Sequence, residues 1–407
     1  MAQRSSLVFQ GMCPGSAGDR PGILALNVSP RTPYKVNAVQ QNEGTDIMHT
    51  ISNKMAWVTI SGVLLLSLNC AGLHPGIAPD PGMASGDLAH PPDKETIHIQ
   101  YLGSGGDLIY RNGIGVLTAP IYSNPTTLRV GFGCIAPDTN RINQLVPKVP
   151  GVKVAAILVG HAHYDHLLDV PHIANRHTLD AAIYGNASVS RIMTAADQDL
   201  GKRTHVLDDE LSREGQPGRW IYLADSTIRF MGIESDHGAH ALGIHVMQGD
   251  VREHLTRPPR SAWAWKEGQT IAYLIDFLGP DGRVDFRIHH QDATSHYPLG
   301  APPEFVPPDT HRLDVAIISV GSWFQLPDYP TALVQRHQPR LVILGHWDTF
   351  FRSPFKPPRP IPYATRLRKF VPYLKAHLPP DSDWLLPTPG ATYLYHPVDE
   401  SEKESTP

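Results

Sequence analysis

The sequence predicts an α/β fold in which two β-sheets pack face to face with helices on the outside. Strand-like apolar runs separated by helical stretches occur in both halves of the chain, which is the pattern of packed sheet layers rather than of a bundle. No repeat of short period appears. At 407 residues, 41% hydrophobic and 18% charged, the chain is long enough and apolar enough to bury a large core. Its 39 prolines predict many fixed loops and few long uninterrupted helices.

The amino-terminal part reads as separate from the fold. After a polar, Pro- and Gly-containing stretch comes "MAWVTISGVLLLSLNCAGLHPG", with Lys54 as a sparse positive region, an apolar run from Ala56 to Leu68, and small residues beyond. That is the pattern of an export signal, too short to span a bilayer. Met48 or Met55 is the expected physiological start. Cys70 stands where a lipid-attachment cysteine would, although Asn69 suits a bacterial lipobox poorly. The expectation is an exported protein, periplasmic, membrane-anchored or secreted, from a bacterial host; an uncleaved anchor is the competing reading. Gly72 to Asp93 reads as a Pro/Gly-rich tether. The divisions are therefore 1–95 for extension, signal and tether, 96–397 for the folded domain, and 398–407 for a polar tail.

Within the domain, "IHIQYLGSGGDLIYRNGIGVLTAP" alternates apolar and polar residues with Gly at the turns, a short meander. Lys153 to Val159 is a buried-type strand, "DVPHIANRH" is helical, and "AAIYG" is another short strand. "RWIYLADSTIRFMGIES" reads as a hairpin, and so does "TIAYLIDFLGPDGRVDFRIHH", with its turn at Gly279 to Gly282. "LDVAIISV" and "PRLVILG" are buried-type strands. Tyr363 to Leu378 has apolar residues at helical spacing, with a kink expected at Pro372, and "ATYLYH" closes the domain as a strand.

One stretch stands out against this background. "AILVGHAHYDHLLDVP" places His161, His163, Asp165 and His166 within six residues, just where an apolar strand ends. In an extended segment His161 and His163 point to the same side and can reach one cation. Asp165 and His166, as the chain turns helical, can reach a second. Imidazole and carboxylate donors suit Zn²⁺, with Fe and Mn as alternatives. The three cysteines, Cys13, Cys70 and Cys134, form neither a disulfide framework nor a zinc ribbon, so a metal would be held by His and Asp.

The H-x-H-x-D-H motif resembles that of the metallo-β-lactamase superfamily, and the resemblance extends over about 300 residues, from Thr96 to His396. It implies a four-layer αββα sandwich with the site at one edge of the sheets. It also implies three later ligands, and the chain offers His237 in "GIESDHGAH", Asp292 in "QDAT" and His346 in "LVILGHWDTF". By that resemblance His161, His163 and His237 hold one of two divalent cations, Asp165, His166 and His346 hold the other, and Asp292 bridges. Competitors are His240 and His245 for His237, and Asp276 for Asp292. Asp276 lies inside a strand and is expected to face solvent or a sheet edge. His289, His290 and His296 crowd the Asp292 loop. An Asp at the bridging position resembles the hydrolase and phosphodiesterase branches. "GHAHYDHLLDVP" and "GHWDTF" look most like the branch of N-acyl-phosphatidylethanolamine-hydrolysing phospholipase D and ascorbate-6-phosphate lactonase. The chain departs from the pattern at Ala119, where relatives often carry an Asp before the Pro.

The implied chemistry is hydrolysis of an ester, lactone or phosphodiester by metal-activated water, with Asp165 both ligand and proton acceptor. No G-x-S-x-G nucleophile elbow is present. A non-catalytic binding protein on the same scaffold is the alternative from a different class. The expected partner is a small-molecule or lipid-like substrate, with membrane association through the amino-terminal segment. Trp263, Trp265, Arg257 and Arg260, in "HLTRPPRSAWAWKEG", are candidates for a substrate rim, against the plainer reading of a Pro-rich loop packed on the sheet. A net charge of −4 gives no basis for nucleic-acid binding.

Overall fold

The computed structural model describes residues 7–8, 23–24, 78–81 and 96–396, with breaks at 119, 224–225, 241–242, 253, 306–308 and 362. The export segment, Cys70, Ala119 and the 398–407 tail therefore lie outside the described residues.

Fourteen strands of the domain build two seven-stranded sheets. The first sheet contains β1 (Ile97–Gly103), β2 (Gly106–Arg111), β3 (Ile114–Thr118), β4 (Lys153–Leu158), β5 (Ala182–Gly185) and β6 (Thr204–Val206) in chain order, with the last strand, β14 (Thr392–Tyr395), returning beside β1. The second contains β7 (Ile221–Tyr222), β8 (Ile228–Ser235), β9 (Thr270–Leu278), β10 (Val284–Gln291), β11 (Val315–Ser319), β12 (Leu341–Gly345) and β13 (Asp383–Leu385), again in chain order across the sheet. Strands β3 to β6 run parallel, as do β10 to β13, while the β8–β9 and β9–β10 pairs are antiparallel. Consequently β4, β8, β10 and β12 each reach their carboxyl ends before a ligand candidate.

Alternation along the strands explains the layering, because period-two side chains supply two different cores. Val116, Ala156, Leu158, Tyr273, Ile275, Val315, Ile317 and Ile343 face the space between the sheets. The intervening Leu117, Ile157 and Val159 face outward onto α3 (Tyr164–Leu167), α4 (Val170–Arg176) and α5 (Ala187–Ala196), and so join a second core with Leu167, Ile173 and Ile192. On the far side, Leu274, Ala316, Ile318, Val342 and Leu344 pack with Leu333 and Val334 of α7 (Thr331–His337) and Phe370 and Leu374 of α8 (Leu367–Lys375). Three apolar clusters between four layers make an αββα sandwich, the architecture the resemblance implies. The short helices α1 (Thr127–Phe132), α2 (Thr139–Leu145) and α6 (Gln198–Lys202) complete the first outer layer.

Several details depart from the sequence reading. The last helix spans Leu367–Lys375 with Pro372 inside it, shorter than the expected Tyr363 to Leu378. Asp80, within the expected tether, bridges to Pro387 and donates its N–H to the Leu386 carbonyl at 2.8 Å, so part of that tether is fastened to the domain. Asp276 does not face solvent: it is 0% exposed and accepts from Arg287 Nε at 2.7 Å and Arg229 Nε at 2.9 Å. Those two guanidinium groups bury the carboxylate in an ion-pair cluster far from any ligand role.

Candidate metal centre

The site grows from four strand ends. Strand β4 ends at Leu158, and the extended residues after it carry His161 and His163. His163, at φ −65° and ψ 152°, is the last extended residue before the single turn of α3, which carries Asp165 and His166. The change from strand to helix directs four donors into one space. Strand β8 delivers His237 two residues past its end, β10 delivers Asp292 immediately after Gln291, and β12 delivers His346 immediately after Gly345. His346 sits at φ +49°, an uncommon backbone for a non-glycine residue, and its N–H donates to the Ser104 carbonyl at 2.8 Å.

The structure brings all seven sequence candidates into one cluster. Candidate ligand atoms lie within 4.8 Å of one another in each of three groups: His161, His163 and His237; Asp165, His166 and His346; and His161, His166 and Asp292. The third group draws one His from each of the other two, so Asp292 lies between them. Its carboxylate is 3.3 Å from His161 Nδ1 and 3.2 Å from His166 Nδ1. Asp165 Oδ2 is 3.5 Å from both His166 Nε2 and His346 Nε2. His237 Nδ1 pairs with the Gly238 carbonyl at 2.7 Å, which fixes the ring and leaves Nε2 toward the cluster.

Electrostatics favour a bound cation. Burial drives the His166 pKa down to about 3, and burial with the neighbouring His161 drives His237 down to about 4. His163 is likewise pushed well down, by burial and by His161, His237 and His240. These rings are neutral and offer lone pairs. Burial alone would raise Asp165, but His166, His346 and His163 outweigh it and hold the carboxyl well below its usual range. Asp292 is lowered in the same way by His166 and His161 against its burial. Burial also opposes charge on His161, but contact with Asp292 and the fields of Asp165 and Glu267 raise its pKa. Three further ring nitrogens, both of His166 and Nδ1 of His346, are buried without a hydrogen-bond partner. Such orphaned groups cost about 1–3 kcal/mol each, and a divalent cation would satisfy the lone-pair nitrogen of each neutral ring. The donor set fits the group.

The competitors have other tasks. His240 stacks on His237 at 4.5 Å, accepts the Val246 N–H at its Nδ1, and belongs to none of the three groups. His289 pairs with the Gly300 carbonyl, His290 with Asp107 at 3.3 Å, and His296 with Asp236 at 3.0 Å. His245 also stands outside the three groups. The rim reading of Trp265 is overturned: it is 1% exposed, lies in the outer core, and donates to the Pro259 carbonyl. Trp263 is half-buried, its ring donating to Gly131 of α1.

Other contributors were not visible in the sequence. A Cβ on Gly160 would lie 2.3 Å from Asp292 Oδ2, and one on Gly105 would lie 2.6 Å from His166 Nδ1, so both glycines make room for ligand side chains. Asp348 accepts the Tyr101 hydroxyl and, at 3.1 Å, the Ser104 N–H, fastening the His346 loop to the β1–β2 turn. Asp169 accepts from the N–H groups of Tyr122 and Ser123 at 2.7 and 2.8 Å and ties the loop after β3 to α4. Each of these residues acts across a long sequence separation, with no local motif to announce it.

Fold and site together define an αββα sandwich with a cluster of His and Asp at the edge where strand carboxyl ends meet. No protein family and no curated protein matches the chain. Among solved structures it is similar to Igni18, a metallo hydrolase from the hyperthermophilic archaeon Ignicoccus hospitalis, at 15% identity over 74% of this chain and 99% of that one, with a TM-score of 0.42. It is similar to CmlA, a diiron β-hydroxylase from Streptomyces venezuelae, at 13% identity over 75% of this chain and 55% of that one, with a TM-score of 0.38. A third is a Zn-dependent hydrolase assigned to the metallo-β-lactamase superfamily from Thermotoga maritima, at 12% identity over 72% and 98%, with a TM-score of 0.32.

Proposed function

We propose that the chain is a metal-dependent hydrolase that uses two divalent cations, zinc foremost, to cleave an ester, lactone or phosphodiester. The observation that carries this reading is the nesting of the three ligand groups, in which Asp292 shares His161 with one set and His166 with the other. When bound, two cations supply Lewis-acid activation of water and of a substrate carbonyl or phosphoryl oxygen. The remaining work falls to the chain itself. Asp165, held ionised between His166 and His346, is placed to take the proton of the attacking water. The Gly238 carbonyl orients His237, and the Asp348 contacts hold the His346 loop, so the cluster is preorganised.

The test is a substrate panel on purified, metal-replete protein: bis-p-nitrophenyl phosphate, a lactone, a thioester and a β-lactam. The expected result is turnover of at least one phosphodiester or ester substrate that a chelator abolishes and added zinc restores. Full metal content with no chelator-sensitive turnover anywhere in the panel would defeat the reading.

A further inference from the structure

Outside the ligand groups, the largely buried carboxylate of Glu267 faces His163 of the metal centre. Glu267 ends the Pro-rich segment before β9, and its side chain is 14% exposed. It is in none of the three groups whose ligand atoms approach within 4.8 Å, so it lies outside the ligand cluster. Its Oε2 is 3.7 Å from Nε2 of His163, a side chain 2% exposed. Both atoms are buried, and neither has a hydrogen-bond partner. The gap is slightly too long for a hydrogen bond and too short for a bridging water, which needs two contacts of about 2.8 Å. Each group is therefore the other's available polar partner, and closing the gap by about half an ångström makes the bond.

The backbone holds the carboxylate at this post. Glu267 donates its N–H to the Met247 carbonyl at 3.1 Å, and its carbonyl accepts from Ala162 N at 2.9 Å and Asn186 Nδ2 at 2.7 Å. Ala162 lies between the two histidines of the motif, so the fastening is made at the ligand segment itself. A Cβ on the next residue, Gly268, would lie 2.5–2.6 Å from the Asn186 amide, so this close approach requires glycine.

We propose that Glu267 is the positioning carboxylate of His163, accepting its Nε2 proton so that the Nδ1 lone pair is turned to the cation shared with His161 and His237. Metal-bound imidazoles commonly have such an outer carboxylate, which fixes the tautomer and strengthens the donor. The inference rests on the two-cation reading above and adds a residue to it.

The test is a zinc competition titration against a chromophoric chelator on the full chain, wild type beside Glu267→Ala and the isosteric Glu267→Gln. It is paired with proton NMR of the imidazole N–H signals in the zinc-loaded protein. Glu267→Ala is expected to weaken one of two zinc affinities by about 10- to 100-fold and leave the other. The His163 Nε2–H signal, slowly exchanging in the wild type, is expected to vanish in the Ala variant. If Glu267→Ala does not fold, Glu267→Gln serves the same comparison, with a smaller loss of affinity. Two zinc ions in the wild type with unchanged affinities and N–H signals in the variants would overturn the positioning role. A wild type that binds no zinc would instead overturn the two-cation reading and this inference with it.

Discussion

Replacing Gly160 by Ala tests whether Asp292 must stand where the structure places it. The new Cβ would lie 2.3 Å from Oδ2 and 2.5 Å from both Cγ and Oδ1 of Asp292. Ordinary contact begins near 3.4 Å, so the carboxylate must retreat by about 1.1 Å. Its contacts of 3.3 Å to His161 and 3.2 Å to His166 would open, and Asp292 would no longer lie between the two sets. In metal-free protein the side chain can swing aside and avoid much of the strain. With cations bound it must return, so the overpacking cost of about 1–3 kcal/mol falls on metal binding. That cost corresponds to a loss of roughly 5- to 150-fold in affinity. Zinc competition titration reads the loss directly, and the zinc-induced rise in melting temperature should shrink with it. Gly345→Ala is the control, because its Cβ would meet nothing closer than 3.3 Å although it adjoins His346. Two zinc ions at wild-type affinity in Gly160→Ala would refute the bridging position of Asp292.

Further expectations concern the chemistry, the scaffold and pH. Asp165→Asn removes the proposed proton acceptor, so turnover per bound metal should fall by about 10²–10⁴-fold; near-wild-type turnover at full metal occupancy would move that role elsewhere. Arg287→Met leaves buried Asp276 with Arg229 alone, and a urea titration should show a loss of about 3–5 kcal/mol; an unchanged midpoint would mean the pair contributes nothing net. Burial lowers the folded-state pKa of His289 to about 3, below the unfolded value of about 6.5. The unfolded chain then binds more protons between these values, so the stability contribution is present above pH 6.5 and is lost as the pH falls toward 3. The urea midpoint of metal-free protein should drop between pH 7 and pH 5, and His289→Gln should flatten that drop; an equal drop in the variant would assign it to other groups.

The sequence reveals local features well and distant partnerships poorly. Four of the seven clustered residues share six positions at a strand end, and that density stands out without any structure. His237, Asp292 and His346 are legible because each follows a strand-like run, and strand ends are where side chains converge in this architecture. Gly105, Gly160 and Glu267 are not legible, because a glycine needed for clearance and a carboxylate behind a ligand depend on which segments meet. Asp276 shows the opposite failure. A lone acid inside a strand reads as solvent-facing, and the two arginines that bury it come from two neighbouring strands, β8 and β10. Trp265 reads as rim because it shares a segment with Trp263, Arg257 and Arg260, yet the loop folds inward and its ring fills the outer core. The layer count is implied by alternation, but only the three apolar clusters establish which strand faces which core.

Metal content per chain tests most directly whether seven side chains hold a pair of cations. Protein purified without chelator from zinc-replete medium should contain about two equivalents of metal by elemental analysis, as a two-metal site requires. His237→Ala and His346→Ala should each reduce that value toward one. A wild-type value that stays near zero, after added zinc as well, would contradict the account.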